Sequence, residues 1–172
     1  ILAFDSFLKM DIDKSKVSFE IVGFGSENEK NKIIDLIKDL DLKDVIKFSG
    51  LVPYNKLSYI FRANNIGLSY IPITKYFDFQ PPTKTYEYLL SGMPVIATST
   101  NENKNIINKN NGILINDDIN SIKQGFYYMY NNLSKYNSET IRSSCVQFTW
   151  KNIINNQLIP RINNILEWVK LK

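Results

Sequence analysis

Apolar residues recur along this chain with two alternating periods, one helical and one extended. Over residues 1–10, Ile1, Leu2, Phe4, Phe7, Leu8 and Met10 share one face of a helix. A polar turn from Asp11 to Lys16 follows, and residues 17–22 (VSFEIV) then predict a strand with an apolar end. Beyond Gly23-Phe24-Gly25, Ser26 and Glu29 have capping-box spacing, with Ser at the N-cap and Glu at N3. Ile33, Ile34, Ile37 and Leu40 give the next helix a buried stripe. Residues 45–48 predict a second strand, closed by Ser49-Gly50, with Leu51-Val52-Pro53 as the loop beyond it. A short helix from about Asn55 turns Leu57, Ile60 and Phe61 inward, and residues 66–70 predict a third strand.

The stretch around which the rest is organised is QPPTKTYEYLLSGMPVIAT, residues 80–98. Pro81 and Pro82 block an earlier helix, Thr83 is the expected N-cap, and Tyr86, Leu89 and Leu90 repeat at helical spacing. Gly92 is placed to end that helix in the left-handed conformation, with Pro94 just beyond. Val95-Ile96-Ala97 is a short apolar run, as in a strand covered on both faces. Residues 71–82 before it form a long loop carrying Tyr76, Phe77, Asp78 and Phe79, and long loops at strand ends tend to be functional. After a polar segment with a short helix around Lys104 to Asn108, residues 112–115 predict another strand. Asp117 or Asp118 can cap a helix bearing Ile119, Ile122, Phe126, Met129, Tyr130 and Leu133. A helix from about Ser138 to Gln147 follows. The last begins near Thr149-Trp150, runs toward Val169 and is bent at Pro160. Strands alternating with helices imply an α/β fold: one Rossmann-like, doubly wound parallel sheet with closing C-terminal helices, as a single domain over 1–172.

In such a sheet ligands sit beyond the C-terminal ends of the strands. The candidate polar features converge there: Gly23 to Ser26, Leu51 to Pro53, Tyr70 to Lys84 and Thr98 to Glu102. A helix N-terminus facing a loop, with Lys84 in its first turn, is a ready anion site, and a bound anion would offset the unfavourable placing of that cation against the helix dipole. Glu87, one turn on, can present a carboxylate beside it. Donors for a diphosphate and an acceptor for ribose hydroxyls suit a nucleotide.

Composition narrows the chemistry. The 172 residues are 44% hydrophobic and 22% charged, ordinary for a globular domain, and the net charge of +4 is mild. No basic cluster marks a nucleic-acid footprint. The absence of histidine excludes Ser-His-Asp and Cys-His catalysis within these residues and removes the commonest metal ligand. Cys145 is the single cysteine, read as a core filler on a helix. No apolar run approaches a membrane span.

Pro82, Lys84, Glu87, Tyr88, Gly92, Pro94, Val95, Ile96 and Ala97 spell P-x-K-x-x-E-Y-x-x-x-G-x-P-V-I-A. This resembles the donor-site signature of retaining glycosyltransferases with the GT-B fold, family 4 (glycosyl transferases group 1) in particular. Ile21-Val22-Gly23-Phe24-Gly25 resembles the family's IVG-x-G. Val45, Phe48, Gly50 and Val52 resemble its V-x-F-x-G-x-V with one additional residue, and Phe148-Thr149-Trp150 its F-[ST]-W. The resemblance implies the C-terminal, nucleotide-sugar-binding half of a GT-B enzyme, lacking the N-terminal acceptor domain. It implies backbone around Leu51 and Val52 holding the donor base, and Glu87 accepting from ribose hydroxyls. Amides near Thr83, Lys84 and Thr85 would hold the diphosphate, with the Gly23 and Gly25 turn beside them. The implied reaction is transfer of a sugar from a nucleotide-diphospho-sugar such as a UDP- or GDP-sugar, with retention and without a metal, to a glycan or lipid-linked acceptor. Surface polysaccharide synthesis at the cytoplasmic side, with peripheral membrane association, is the implied setting.

The sequence departs from that pattern in two places. Where the family's E-x7-E has its first Glu, this chain has Phe79, with Asp78 one residue away as the possible substitute acid. The family's Arg and Lys pair for the phosphates falls before Ile1. Two other readings remain open: a GT-B nucleotide-sugar epimerase, and a non-catalytic nucleotide-binding or assembly module.

Overall fold

The computed structural model describes residues 1–170. Among them the middle layer is built from β1 (Phe19–Val22), β2 (Ile46–Gly50), β3 (Gly67–Ser69), β4 (Val95–Thr98) and β5 (Gly112–Ile115), all paired in parallel. The connections are α1 (Leu2–Leu8), α2 (Glu27–Asp39), α3 (Leu57–Ala63), α4 (Thr83–Leu90) and α5 (Asn101–Ile106). After β5 come α6 (Ile119–Asn132), α7 (Ser138–Ser144), α8 (Trp150–Ile153) and α9 (Ile159–Lys170). The α/β class and parallel strands are those the periodicity predicts.

The strands form two pieces rather than one sheet. β1 pairs with β2, setting Phe19 opposite Ile46 and Ile21 opposite Phe48. β3-β4-β5 form the second piece, with Leu68 opposite Ile96 and Val95 opposite Gly112. Between β1 and β3 lies a cavity of about 760 Å³.

Helices cover both faces. On one, α1 packs on α6, the Phe4 and Phe126 rings meeting edge-on at 5.5 Å and Phe7 standing 5.8 Å from Phe126. On the other, Phe61 of α3 meets Tyr88 of α4 edge-on at 5.6 Å. Tyr88 lies so close to β3 that a Cβ on Gly67 would come within 2.4 Å of its ring, so only glycine admits this approach. β4 is buried along its whole length, as its apolar run predicts. Val95 and Ala97 join Leu89, Ile106 and Ile141, while Ile96 packs with Ile115 and Met129. Cys145 is buried in the first of these clusters, where it fills space at the end of α7.

Local signals hold in several places. Ser26 and Glu29 make the full capping box. Gly92 takes φ +83, and the N–H groups of Gly92 and Met93 close the end of α4 onto Leu89 O and Tyr88 O. Other expectations shift. Ile34 is 42% exposed, because the buried stripe of α2 centres on Ile33, Ile37 and Leu40 and leaves position 34 at its rim. The short helix expected at 104–108 is α5, started earlier by Thr100, whose hydroxyl accepts from Asn103 N. α7 stops at Ser144, and residues 146–148 make a tighter turn. Thr149 caps α8, and the break before α9 is a wide π turn over residues 154–158, closed by Ile159 N donating to Ile154 O, just before Pro160, which has no N–H to donate.

Candidate functional site

The carboxyl ends of β3 and β4 carry the densest polar structure, and α4 starts there. Pro82, not Thr83, is the N-cap: its carbonyl accepts the first helical bond, from Tyr86 N, and no side chain caps the helix. A proline at that position has no N–H to satisfy, which shifts the start by one residue. Thr83 N donates to Pro81 O at 3.0 Å. Among the described residues the N–H groups of Lys84 and Thr85 have no partner, so two free donors sit at the positive end of the helix dipole. Lys84 and Glu87 meet across the same turn, Nζ to Oε2 at 2.9 Å, with the carboxylate 23% exposed and the ammonium 60%. Such a pair is weak and readily exchanged for a ligand.

Thr85 points the other way. Fully buried, its hydroxyl lies 2.8 Å from both Ser69 Oγ and Asn103 Oδ1. Asn103 Nδ2 donates to Thr98 O, and Asn103 N donates to the Thr100 hydroxyl. Ile71 N donates to Thr98 Oγ1, which donates back to Ile71 O. This satisfied network ties β3, α4, β4 and α5 together and fixes where the α4 N-terminus stands. At the other end of α4, Arg142 of α7 donates to the carbonyls of Leu90 and Ser91. Thr85 is therefore available to a ligand through its backbone alone.

The loop from Ile71 to Pro82 is pinned. Asp117 accepts from the Tyr70 hydroxyl and, at 3.0 Å, from Ile73 N, and its carboxylate holds the Tyr70 hydroxyl above its ordinary pKa. Asp118, not Asp117, caps α6 through Ser121 N. Asp78 lies at the start of α5: Oδ1 accepts from Asn101 N at 2.9 Å and Oδ2 from Asn101 Nδ2 at 2.6 Å. Both its oxygens are thus engaged in docking the loop. Tyr76 and Phe79 stand 73% and 67% exposed, so these aromatics form no packed flap, although Tyr76 and Phe77 meet edge-on at 4.9 Å.

Gly23, Gly25, Leu51 and Val52 sit at the carboxyl ends of β1 and β2. Gly23 N donates to Gly50 O, which holds the two turns together, and Gly50 takes φ +62 to begin the second. Leu51 is 72% exposed and Val52 half-buried. The structure thus gathers the predicted residues into two groups, Gly23 with Leu51 and Val52, and Lys84 with Glu87. They flank the cavity, whose wall includes both Val22 and Lys84. Arg142 and Asn103 escape sequence reasoning, whereas Asp117 and Thr98, singled out as a candidate cap and as part of a polar loop, instead hold the backbone of the loop that follows β3; Thr100 followed by Asn103 is a local signal, a side-chain cap at its usual spacing.

A parallel α/β domain with its polar loops at the strand ends is the architecture of the C-terminal Rossmann-like domains of GT-B glycosyltransferases. Sucrose-phosphate synthase from Thermosynechococcus elongatus superposes with TM-score 0.68 at 16% identity, over 95% of this chain and 42% of that one. A glycosyltransferase from Rickettsia africae gives TM-score 0.70 at 18% identity, over 91% of this chain and 41% of its own. The pneumococcal O-GlcNAc transferase GtfA, solved with UDP and GlcNAc, gives TM-score 0.71 at 21% identity, over 96% and 32%. The chain spans less than half the length of each of these structures. No curated protein matches it in sequence. Its residues 1–138 match the family Glycosyl transferases group 1, and the chain belongs to that family.

Proposed function

We propose that this chain is the donor-binding domain of a retaining, family 4 glycosyltransferase that moves a sugar from a nucleotide-diphospho-sugar to an acceptor. The observation that carries the reading is the α4 N-terminus, where two free N–H groups, Lys84 and Glu87 converge beyond β3 and β4. On this reading the amides of Lys84 and Thr85, with the Lys84 ammonium, bind the diphosphate; Thr83 contributes its side chain, because its N–H is already used. Glu87 turns from Lys84 to accept from ribose hydroxyls. Backbone at Leu51 and Val52 meets the base, with the Gly23 and Gly25 turn beside it.

In the reaction the bond between the sugar's anomeric carbon and the diphosphate oxygen breaks. The acceptor oxygen bonds to that carbon on the same face, and its proton passes to the leaving phosphate. The amides and Lys84 stabilise the charge that develops there. Anabaena HepE, solved with UDP-glucose, has a similar fold at TM-score 0.65, which supports a nucleotide-sugar as the ligand class. The proposal extends to a glycan or lipid-linked acceptor, to a cytoplasmic setting with peripheral membrane association, and to a 172-residue chain that binds donor weakly and transfers nothing alone. No helix among the described residues is long and apolar enough to cross a membrane.

Phe79 and Asp78 favour one second reading, a non-catalytic nucleotide-binding module. The first is apolar and exposed where the family signature has an acid, and the second is committed to Asn101. Kinetics on the full-length protein separate the two. Glu87→Ala and Lys84→Ala are each expected to raise KM for the donor about tenfold or more, the worth of a charge-assisted hydrogen bond. Wild-type protein that binds nucleotide but transfers no sugar would favour the module.

A further inference from the structure

The loop after β3 displays aromatic rings to solvent from a backbone that is firmly held. Tyr76, Phe77 and Phe79 stand 73%, 36% and 67% exposed. Large apolar side chains gathered at a surface are the informative exception to burial. These do not hang from a loose segment. Asp117 and Thr98 hold residues 70–73. Phe77 N and Asp78 N donate to Thr74 O at 3.1 and 2.9 Å, and Gln80 N donates to Phe77 O at 3.1 Å. Asp78 and Phe79 are therefore the two corner residues of a turn. The Asp78 carboxylate goes to Asn101 at the start of α5, whereas the Phe79 ring goes to solvent. The Thr74 hydroxyl is drawn in as well, accepting from Phe77 N at 3.3 Å. Asp78 is the only acidic residue of the 71–82 loop, so the loop's carboxylate is spent on its own anchorage. At the corner of the turn it offers an aromatic ring.

The turn is also fixed relative to α4. Asn101, which holds Asp78, opens α5, and Asn103 of the same helix lies 2.8 Å from the Thr85 hydroxyl in the first turn of α4. Along the chain, Phe79 is separated from Thr83 by Gln80 to Pro82 alone, about 14 Å even at full extension. Phe79 thus belongs to the wall beside the free N–H groups of Lys84 and Thr85. In a nucleotide-diphospho-sugar the sugar is bonded to the outer phosphate, so a diphosphate on those amides brings the sugar toward this loop. Resting on the nucleotide reading, we propose that Phe79, with Tyr76 and Phe77 beside it, is a specificity-determining contact for the donor sugar. It selects a sugar that presents a methyl group where a common hexose presents a hydroxyl, as a 6-deoxy or an N-acetyl sugar does. A hydroxyl turned onto the ring loses its water while the loop's carboxylate is already engaged. A methyl group in the same place leaves water for an apolar surface. An apolar contact of this kind discriminates by about tenfold to a hundredfold.

The test is calorimetric titration of the full-length protein. The probes are free UDP and GDP, then UDP-glucose against UDP-6-deoxyglucose and UDP-N-acetylglucosamine, and GDP-mannose against GDP-6-deoxymannose. The expected result is that a methyl-bearing donor binds about tenfold more tightly, or better, than its hydroxylated counterpart. The pair that shows it distinguishes a 6-deoxy from an N-acetyl sugar. In Phe79→Ala that preference falls to about threefold or less, while free nucleotide binds wild type and variant alike within about twofold. Phe79→Glu supplies a carboxylate that accepts from hydroxyls, and it reverses the preference. Because Phe79 is exposed, both variants keep the wild-type unfolding midpoint, which separates lost recognition from lost structure. Nucleotide binding with no preference among the sugars, or a preference that persists in Phe79→Ala, would overturn the inference and leave the nucleotide reading standing. Silence toward free UDP and GDP as well would overturn both.

Discussion

Lys84 and Glu87 hold each other across one helical turn, whereas Thr85 between them turns inward, so three polar positions of one turn divide between the site's surface and the core. Thr85→Val keeps the shape but leaves Asn103 Oδ1 and Ser69 short of a partner in a fully buried setting. The expected cost is about 1–3 kcal/mol, read as a lower urea midpoint at unchanged slope; an unchanged midpoint would show that the network does not hold α4. Glu20 makes a second residue-scale prediction. The Ser49 hydroxyl, then Lys47 and Asn64, hold its carboxyl below its ordinary value of 4.5. Because the folded-state pKa is the lower one, this stabilisation is fully present above the ordinary value and is lost as pH falls toward the folded value. Stability measured between about pH 6 and about pH 3 should therefore fall less steeply in Glu20→Gln than in wild type, and parallel curves would remove Glu20 from the acid response.

α4 is the element on which the candidate site depends, and both its ends are fixed from a distance. Arg142 reaches its last carbonyls from α7, and the Thr85 network anchors its first turn. Gly92 ends it at φ +83, where a Cβ would also meet Ser138 O at 2.8 Å. Gly92→Ala should thus cost at least about 1–2 kcal/mol, the penalty of a left-handed residue with a side chain. Thermal unfolding would show it, and a variant as stable as wild type would contradict the assignment. This element was legible in the sequence because its signals are local: two prolines, a helical stripe, a glycine and a following proline. The Pro82 cap, the Asp117 clamp on the 71–82 loop and the Asp78 link to Asn101 were not. Each joins residues far apart in the chain or shifts by one position a start that composition leaves open. The segment 98–111 is polar by composition, yet Thr98, Thr100, Asn103 and Asn111 are buried: Thr100 is satisfied locally as the α5 cap, while Thr98, Asn103 and Asn111 find partners in neighbouring elements, which composition does not record.

For the molecule as a whole, the alternation of periods was enough to give parallel strands layered between helices, but not the break between β1 and β3. A gap in a sheet is a property of which edges meet, and no residue pattern records it. The same gap divides the candidate site, with Gly23, Leu51 and Val52 on one side and Lys84 and Glu87 on the other. The central claim is that these halves serve one nucleotide-diphosphate ligand. The most direct measurement is titration of the full-length protein with UDP and GDP, following backbone amides by NMR in wild type and Glu87→Ala. The account predicts shifts at Lys84 and Thr85, whose N–H groups are free, together with shifts in Gly23 to Ser26 and Leu51 to Pro53, all weakened in the variant. Silence at millimolar nucleotide, or shifts that leave Lys84 and Thr85 unmoved, would contradict it.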